Sequence, residues 1–254
     1  NDAVDEVIAV AAREGVDADI VKGGSLDIAR NEPQVRRLRT AVDEDHSWDI
    51  PDVRLLSKGE AAQRVNVENL LLAAYSPHCA RIQPAKLARG LADVVERLGV
   101  TIFEQTAGSG IVPGRATAGR GTVRAPIILR ATEGFTATLP GLERRWLPMN
   151  SAMIATEPLS ADAWASIGWD GRETMGDTAH GFFYAQRTAD DRIAIGGRAV
   201  PYRYASGIDR DGEVGPSTIT YLQGVLNTLL PQTRGAGIAH GWCGVLAVPR
   251  DWEA

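Results

Sequence analysis

Apolar residues along the chain recur with two different periods, and the first half shows mainly the helical one. The clearest case follows Pro84, where an apolar residue returns every three or four positions until Gly99, so a helix is predicted there. The same spacing predicts a helix from the start of the chain to Gly15 and another over residues 32–45. Ser57 and Glu60 have the spacing of a capping box, which predicts a short helix ending near Val65.

Strand-like segments lie between these helices and dominate the second half of the chain. In the first half the predicted strands are residues 23–30, 70–75, 100–104, 121–123 and 127–131. Beyond Gly141 they are residues 153–156, 182–187, 192–196 and 238–246, with a turn at 188–191 and one helix over 217–230. The order predicts an α/β protein with a mixed, largely antiparallel sheet flanked by helices.

Composition narrows the class of protein. A chain of 254 residues with 44% hydrophobic content buries a substantial core. A net charge of -5, with 27 basic against 32 acidic side chains, argues against a nucleic-acid partner. No apolar run approaches the roughly 18 residues that span a bilayer, so neither a membrane partner nor a membrane segment is expected. Cys79 and Cys243 have no metal-ligand spacing, and we expect free thiols in a reducing, cytoplasmic environment.

Two glycine-containing stretches invite a ligand-binding interpretation. Residues 108–114 superficially resemble a phosphate loop, but Pro113 has no amphipathic helix behind it, so a turn between strands is predicted. The stretch 125–134 is an apolar run that ends in Ala131-Thr132-Glu133-Gly134. It predicts a buried strand whose glycine lets the backbone approach a bulky ligand, although a plain turn accounts for the same spacing.

Classical catalytic arrangements are missing from the sequence. The four histidines share no ligand spacing, so no metal site is predicted, and no Gly-x-Ser-x-Gly elbow provides a serine nucleophile. His78 and Cys79 are adjacent, but neighbours on an extended chain point to opposite faces, so a thiol-imidazole pair is not expected.

Polar and aromatic residues of the second half form a better candidate site. Tyr184, Gln186 and Arg198 flank a predicted hairpin whose Ile193 and Ile195 supply the opposite face. They either project together into a cavity or cover a solvated face of the sheet. A further group near the end of the chain, Trp242 with Gly244 nearby, is typical of a core or of a wall against a planar ligand.

Taken together, several segments resemble the FAD-dependent amine and D-amino-acid oxidase superfamily, of the glycine oxidase, sarcosine oxidase and gamma-glutamylputrescine oxidase type. The segments are residues 80–91, 99–104, 128–134, 153–158 and 184–197, and the resemblance covers nearly the whole chain. It implies an enzyme that transfers a hydride from the carbon beside an amine to FAD, leaving an imine that water hydrolyses. The implied partner is a small-molecule amine or amino acid.

The resemblance also assigns residues and regions. Thr106, Ala107, Ala131, Thr132 and Gly134 would approach the cofactor, as would Trp242 and Gly244, while Tyr184, Gln186 and Arg198 would face the substrate. Glu133 stands where many relatives have glycine. The implied regions are a substrate domain over 1–79 and 141–240, a partial three-layer FAD-binding domain over 80–140, and the start of a return to the FAD-binding domain over 241–254.

The family's glycine-rich opening segment and its closing segment are missing from this sequence, so we expect the chain to be the interior of a longer enzyme. The separate chain is then expected not to retain flavin and to be inactive. Two alternatives remain: a flavin-free domain of this fold that binds a small molecule without turnover, and a nicotinamide-dependent dehydrogenase, which explains the β-rich second half less well.

Overall fold

A computed structural model of the chain describes residues 2–119, 121–197, 204–208 and 211–249. Within these residues the helices are α1 (Asp2–Glu14), α2 (Glu32–Ser47), α3 (Lys58–Ala62), α4 (Pro84–Arg97), α5 (Ala161–Ile167) and α6 (Pro216–Leu229). The strands are β1 (Ser25–Ala29), β2 (Arg54–Ser57), β3 (Leu72–Ser76), β4 (Gly108–Val112), β5 (Arg115–Ala118), β6 (Gly121–Arg124), β7 (Leu147–Thr156), β8 (Thr174–Asp177), β9 (Phe183–Arg187), β10 (Ile193–Gly197) and β11 (Ile238–Val248). None of the described helices is long and apolar enough to cross a membrane.

Eight of the strands form one mixed sheet, which we call the large sheet, in the order β11-β7-β10-β9-β8-β1-β3-β2. Its neighbours pair antiparallel except β1 and β8, which run parallel. Segments far apart in the chain therefore lie side by side, as Ser25 of β1 and Thr174 of β8 do. The predicted mixed, largely antiparallel sheet with flanking helices is confirmed.

The main core lies on one face of the large sheet. Ile154, Ile193 and Ile195 have 0% exposure there, and they pack in one cluster with the buried side chains of Leu226 from α6 and Trp164 from α5. Because side chains alternate between the two faces of a strand, the residues between these isoleucines point to the other face. This alternation places Ile193 and Ile195 on one face of the sheet and Tyr184 and Gln186 on the other, as predicted. The second face is therefore the one that can hold a site.

Helix boundaries follow the local signals in the sequence. The Ser57 hydroxyl accepts from the Glu60 amide at 3.3 Å and the Glu60 carboxylate accepts from the Ser57 amide at 2.8 Å, so the predicted capping box is confirmed. The helix that it begins ends at Ala62, earlier than expected. Helix α4 begins at Pro84 and is followed by Gly99, whose φ of +93° suits a residue without a Cβ.

Three strands form a second, antiparallel sheet in the order β4-β5-β6, which we call the small sheet. The glycine-rich stretch 108–114 belongs to it. Its first five residues are strand β4 itself, and only Pro113 and Gly114 form the predicted turn, with a φ of +73° at Gly114. The phosphate-loop geometry that the sequence analysis rejected does not occur at this stretch.

Two predicted strands were wrong. Residues 100–104 and 127–131 have no regular secondary structure, and Ile127 and Leu129 are 76% and 87% exposed instead of buried. A buried strand needs a neighbouring strand to accept its hydrogen bonds and apolar side chains to cover it. Among the described residues neither segment pairs with another strand, so apolar content alone overstated their structure. The assignment of substrate and cofactor domains to ranges of the chain stays a prediction.

Candidate functional site

A cavity of about 730 Å³ lies on the face of the large sheet opposite the core. Strands β7, β9, β10 and β11 supply its floor, and the segment that leads into α4 closes one side. The register of the paired strands decides which side chains line the cavity. Trp242 of β11 lies opposite Met153 of β7, and Gln186 of β9 lies opposite Ala194 of β10. Alternate residues of four strands thus converge on one space.

Tyr184 and Gln186, both predicted to contact substrate, line this cavity. Tyr184 pairs with Gly196, where an added Cβ would lie only 2.4 Å from the tyrosine ring, so the ring lies directly over the glycine. The Tyr184 hydroxyl shares a short hydrogen bond with Ser151 Oγ of β7. Two neighbours therefore hold the ring in place, as a positioning group requires.

The Gln186 amide donates from Nε2 to the carbonyl of Ile82 at 3.1 Å. Ile82 lies just before α4, so this bond joins the floor of the cavity to its side wall. The predicted convergence of Tyr184 and Gln186 on one face is confirmed, whereas their contact with a substrate stays a prediction. Arg198, the third predicted substrate residue, lies outside the described residues.

His240 and Trp242 form an aromatic wall at the β11 side of the cavity. Their rings stack with centroids 5.6 Å apart and planes at 14°. Trp242 was assigned to the cofactor, and the structure places it in the same cavity as Tyr184 and Gln186. Stacked rings present a flat apolar surface, which suits a planar or apolar ligand and excludes water from that side.

Gly244, the other predicted cofactor residue of β11, lies opposite Ser151 and on the same side of the strand as Trp242. An added Cβ at Gly244 would meet no atom within 4 Å. The strand therefore presents bare backbone next to the cavity, where a flat ring system can lie without a side-chain clash.

Gly134 packs closely against strand β11. It lies in a short 3₁₀ helix, Glu133–Thr138, that packs on β11, and an added Cβ would lie 2.5 Å from Cγ1 of Val245. Close packing on the strand thus accounts for this glycine. Thr132 precedes the 3₁₀ helix and its hydroxyl hydrogen bonds to that of Thr136 at 2.7 Å, while Ala131 is exposed. Their approach to a cofactor stays a prediction.

Thr106 and Ala107 lie elsewhere, in the exposed segment just before β4. The Thr106 hydroxyl donates to the carbonyl of Glu104 at 2.9 Å, a local bond that shapes this segment. Neither residue lines the cavity. The structure therefore places Trp242 and Gly244 on one side of β11 and packs Gly134 against Val245 on the other side, and Thr106 with Ala107 forms a separate group.

Adjacent His78 and Cys79 turn to different partners, as expected. His78 Nε2 hydrogen bonds to Asp52 Oδ2 at 2.9 Å, and Cys79 Sγ lies 3.3 Å from the Thr174 hydroxyl. The imidazole and the thiol therefore do not form a nucleophilic pair.

Arg81, which the sequence analysis did not single out, is buried at the α4 side of the cavity with 4% exposure. Its Nη2 donates to the carbonyl of Asp19 at 2.7 Å and its Nη1 to the carbonyl of Arg187 at 3.4 Å. Burial lowers the pKa of the Arg81 guanidinium, and nearby Arg172 lowers it further, while Asp19 raises it. The only feature of the sequence that could have drawn attention to Arg81 is its position between Ala80 and Ile82, shortly before the proline that begins α4.

Comparison with known proteins identifies the family. A family model described as FAD dependent oxidoreductase (DAO) matches residues 1–253. The chain belongs to the FAD dependent oxidoreductase family. FAD is the cofactor of this family, and the resemblance found in the sequence is thereby confirmed.

Solved structures agree on the fold. Glycine oxidase from Geobacillus kaustophilus superposes with a TM-score of 0.79 at 21% identity over 99% of this chain and 65% of its own. L-proline dehydrogenase from P. horikoshii gives a TM-score of 0.78 at 16% identity, over 98% of this chain and 66% of its own. L-amino acid deaminase from Proteus vulgaris gives 0.73 at 14% identity, over 98% of this chain and 70% of its own.

A curated relative, "Probable oxidoreductase OrdL" from Haemophilus influenzae, is 24% identical over 233 residues. The match covers 88% of this chain and 51% of the relative, so the chain spans about half the length of that protein. The family is one of flavoprotein oxidoreductases that includes amino acid oxidases.

The residues along β11 fit a flavin. Gly244 leaves open space where a Cβ would lie, and Trp242 on the same side of the strand offers a flat surface. These two residues would lie against the ring system of a bound flavin, whereas Gly134 packs on Val245, whose side chain points to the opposite face of β11.

Proposed function

We propose that the protein carrying this chain oxidises the C–N bond of a small amine or amino acid, with FAD as the hydride acceptor. The observation that carries the proposal is the cavity lined by Tyr184 and Trp242. Gly244 lies two residues beyond Trp242 on the same side of β11, and an added Cβ there would meet no atom within 4 Å. An apolar cavity with a few placed polar groups is typical of a site for a small molecule. We expect neither a nucleic acid nor a membrane as partner, and the net charge of -5 supports the first part.

The chemistry balances without a strong catalytic base. A neutral amine would lose a hydride from its adjacent carbon and a proton from nitrogen, which passes to solvent, and would become an imine that water hydrolyses to a carbonyl compound and ammonia or an amine. When bound, FAD supplies the oxidising power, and oxygen or another acceptor removes the two electrons afterwards. The acid Asp190 at the cavity is held by Arg192 Nε at 2.7 Å, and hydrogen bonds from Thr188 and Arg192 lower its pKa. It is therefore a poor base.

The chain's own residues then bind and orient the substrate. The Tyr184 hydroxyl, fixed by Ser151, and the Gln186 amide, fixed by Ile82, present polar groups at set positions over the floor of the cavity. The stacked rings of His240 and Trp242 form an aromatic wall on the β11 side of the cavity. Holding the reacting carbon in one orientation is the main contribution that a protein makes to such a hydride transfer.

The names of the structural relatives support the substrate class. Glycine oxidase, L-proline dehydrogenase and L-amino acid deaminase are each named for an amino acid substrate. We extend that class to this protein. We also expect it to act in the cytoplasm, because Cys79 and Cys243 are not joined in a disulfide, as a reducing compartment favours.

Anaerobic mixing of the full-length, FAD-loaded protein with a panel of amines and amino acids tests the proposal. We expect at least one of them to bleach the flavin absorbance within the time of turnover, because hydride transfer reduces the ring. If the panel leaves the flavin oxidised while simple alcohols reduce it, the substrate class is wrong. If nothing reduces a bound flavin, a binding domain without turnover is favoured instead.

Substitution of Gly244 tests the place of the cofactor. Gly244→Val adds a side chain into open space, so the melting temperature of the flavin-free protein is expected to stay nearly unchanged while flavin retention falls about tenfold or more. Gly110→Val in β4 is the matched control, because an added Cβ there also meets nothing within 4 Å. Equal flavin content in the two variants would exclude Gly244 from the cofactor site.

A further inference from the structure

A second cavity, of about 430 Å³, lies at the ends of three neighbouring strands of the large sheet, and we call it the strand-end cavity. The end of β1, the start of β3 and the end of β2 lie side by side in register, and the residues just beyond them are Arg30, Leu71 and Lys58. All three line the strand-end cavity. None of its lining residues also lines the candidate site over the other end of the sheet.

Arg30 is a half-buried cation whose guanidinium has no partner among the described residues. Its Nε is buried and makes no hydrogen bond, and the guanidinium forms no ion pair with any of these residues. Only the backbone of Arg30 is engaged, since its amide donates to Gln34 Oε1 at 2.8 Å. A buried N–H bond without an acceptor is unfavourable, and an anion in the cavity would supply one.

Lys58 adds a second cation, exposed and without an ion pair among the residues that the structure describes. Glu60, the next acid along α3, is already engaged, because its carboxylate accepts from the Ser57 amide at 2.8 Å and from the Ser57 hydroxyl at 2.7 Å. Neighbouring strands are ~4.8 Å apart, so the backbones of Arg30 and Lys58 lie about 10 Å apart across β3. Their side chains are long enough to reach one anion between them.

The acids near the strand-end cavity do not occupy it. Burial raises the pKa of Asp177, and the charge of Arg30 is one of the smaller effects that oppose this rise. The Asp177 carboxylate forms no ion pair with Arg30; it accepts from Gln34 Nε2 at 2.9 Å and from two backbone amides at 3.4 Å each. Glu32 and Glu68 are close to the cavity in sequence, but neither lines it.

Two asparagines complete the polar lining of the strand-end cavity. Asn31 Oδ1 accepts from the Gln34 amide at 3.0 Å and caps α2, and Nδ2 of Asn31 makes no hydrogen bond with a described residue. Asn69 has a φ of +58°, a conformation that asparagine adopts more readily than most residues. Two cations and two amides therefore line a space to which no described carboxylate contributes.

We propose that the strand-end cavity binds the phosphate group of a small phosphate monoester. Such a group has three terminal oxygens and about -1.5 to -2 charges at neutral pH, which match one guanidinium fork and one ammonium better than the single charge of a carboxylate does. A volume of about 430 Å³ lies in the range of small-molecule sites, roughly 300–1,000 Å³, so a small organic part fits beside the phosphate. A bounded cavity favours a small molecule over an acidic segment of a protein.

Calorimetry on the full-length, FAD-loaded protein compares methyl phosphate with trimethyl phosphate, which has the same core and no charge. We expect methyl phosphate to bind at least about tenfold more tightly, the range typical of a hydrogen bond to a charged group, and to lose affinity as salt is added. Equal affinity for the two esters would overturn the proposal. Tighter binding of tetraglutamate than of methyl phosphate would assign the cavity to an acidic peptide and would also overturn it.

Variants then assign the binding to residues. Arg30→Gln is expected to weaken methyl phosphate binding about tenfold and Lys58→Gln severalfold, because each removes one charge from the cavity. Arg36→Gln is the matched control, since Arg36 is an exposed arginine of α2 that does not line the cavity. An equal loss in Arg30→Gln and Arg36→Gln would show a general effect of charge, and unchanged binding in both cavity variants would place the probe elsewhere. Either result contradicts the proposal.

Melting temperature is measured alongside, and we expect little change in Arg30→Gln because the guanidinium makes no hydrogen bond with a described residue. If that variant does not fold, Lys58→Gln decides, since Lys58 is exposed. Trp242→Ala tests the place of binding. Loss of methyl phosphate binding in Trp242→Ala but not in Arg30→Gln would place the probe in the candidate site and overturn the proposal.

The inference is independent of the proposed function. A flavin that no amine reduces, in a protein that binds methyl phosphate through Arg30 and Lys58, removes the proposed function and keeps the phosphate site. Amine oxidation in a protein with no preference for methyl phosphate does the reverse.

Discussion

The large sheet and the region around the small sheet, residues 100–145, both contain large apolar residues but bury them to very different extents. Ile154 and Ile195 in the large sheet are completely buried, while Leu129 and Phe103 in the small-sheet region are 87% and 72% exposed. In the large sheet, strands from distant parts of the chain pair in register and helices cover one face. Apolar content therefore gives burial only where other segments of the fold provide a partner and a cover.

A pair of truncations tests this difference most strongly. Ile195→Ala removes three carbons from a completely buried position and is expected to lower the free energy of unfolding by about 3 kcal/mol. Leu129→Ala, at 87% exposure, is expected to change it by less than about 0.5 kcal/mol. Urea titration of both variants measures the difference. A comparable loss in Leu129→Ala would show that the small-sheet region is covered in solution.

Ion pairs of the two regions are expected to differ as well. Arg187 of β9 is buried, donates to Asp170 and Asp191 at 2.8 Å each, and lies 3.9 Å above the ring of Trp164. We expect Arg187→Met to cost about 2 kcal/mol, since hydrogen bonds to charged groups and a cation–π contact are lost.

Arg89 and Glu104 are the matched pair at the border of the small-sheet region, with side chains 71% and 61% exposed. Arg89→Met is expected to cost less than about 0.5 kcal/mol, because water and salt screen exposed pairs. Thermal melting at low and high salt measures both variants. The comparison fails if Arg89→Met lowers the melting temperature as much as Arg187→Met does.

The smallest expected effects concern the pH dependence of stability. They come from two carboxylates whose pKa values shift in opposite directions, one in each region. Partial burial raises the pKa of Asp177 in β8 above its usual 3.8, although amide donors oppose the shift. The folded state then binds the proton more tightly than the unfolded state. The contribution of Asp177 to stability is therefore present below the usual pKa and is lost as pH rises through the raised one.

Glu143 behaves in the opposite way, because backbone hydrogen bonds from Glu143 itself and Gly141 lower its pKa. Its contribution is present above the usual value of 4.5 and is lost as pH falls through the lowered one. Urea titrations of Asp177→Asn and Glu143→Gln across the acidic range measure both. Relative to wild type, the first variant should gain stability as pH rises and the second should lose it. A common sign would refute the assignment.

Local signals predicted much of the fold. The capping box at Ser57, the proline at the start of α4 and the glycine after it act through neighbouring residues, so the sequence alone indicates these helix ends. The alternation around Ile193 and Ile195 likewise predicted that Tyr184 and Gln186 share a face, because the pleat of a strand places alternate side chains on one side. The substrate roles of these two residues stay predictions.

Other features depended on partners far away in the chain. Residues 127–131 have the composition of a buried strand, but no pairing partner among the described residues gives them that structure. Gly134 packs against Val245, more than a hundred residues later, and no local pattern in the sequence indicates that contact. No local pattern in the sequence indicates that Arg81 is buried beside the cavity, because the segments that cover it come from distant parts of the chain.

The sequence by itself determined five of the six described helices, all but α5, as well as most of the strands, the choice of face along the strand pair β9 and β10, and the resemblance to the FAD dependent oxidoreductase family. Only the tertiary structure decided which strands pair, which apolar segments stay exposed, and that Tyr184, Trp242 and Arg81 line one cavity. Helix caps and strand alternation are interactions between neighbours in the chain, whereas pairing, burial and charge compensation are interactions between segments that only the complete fold brings together.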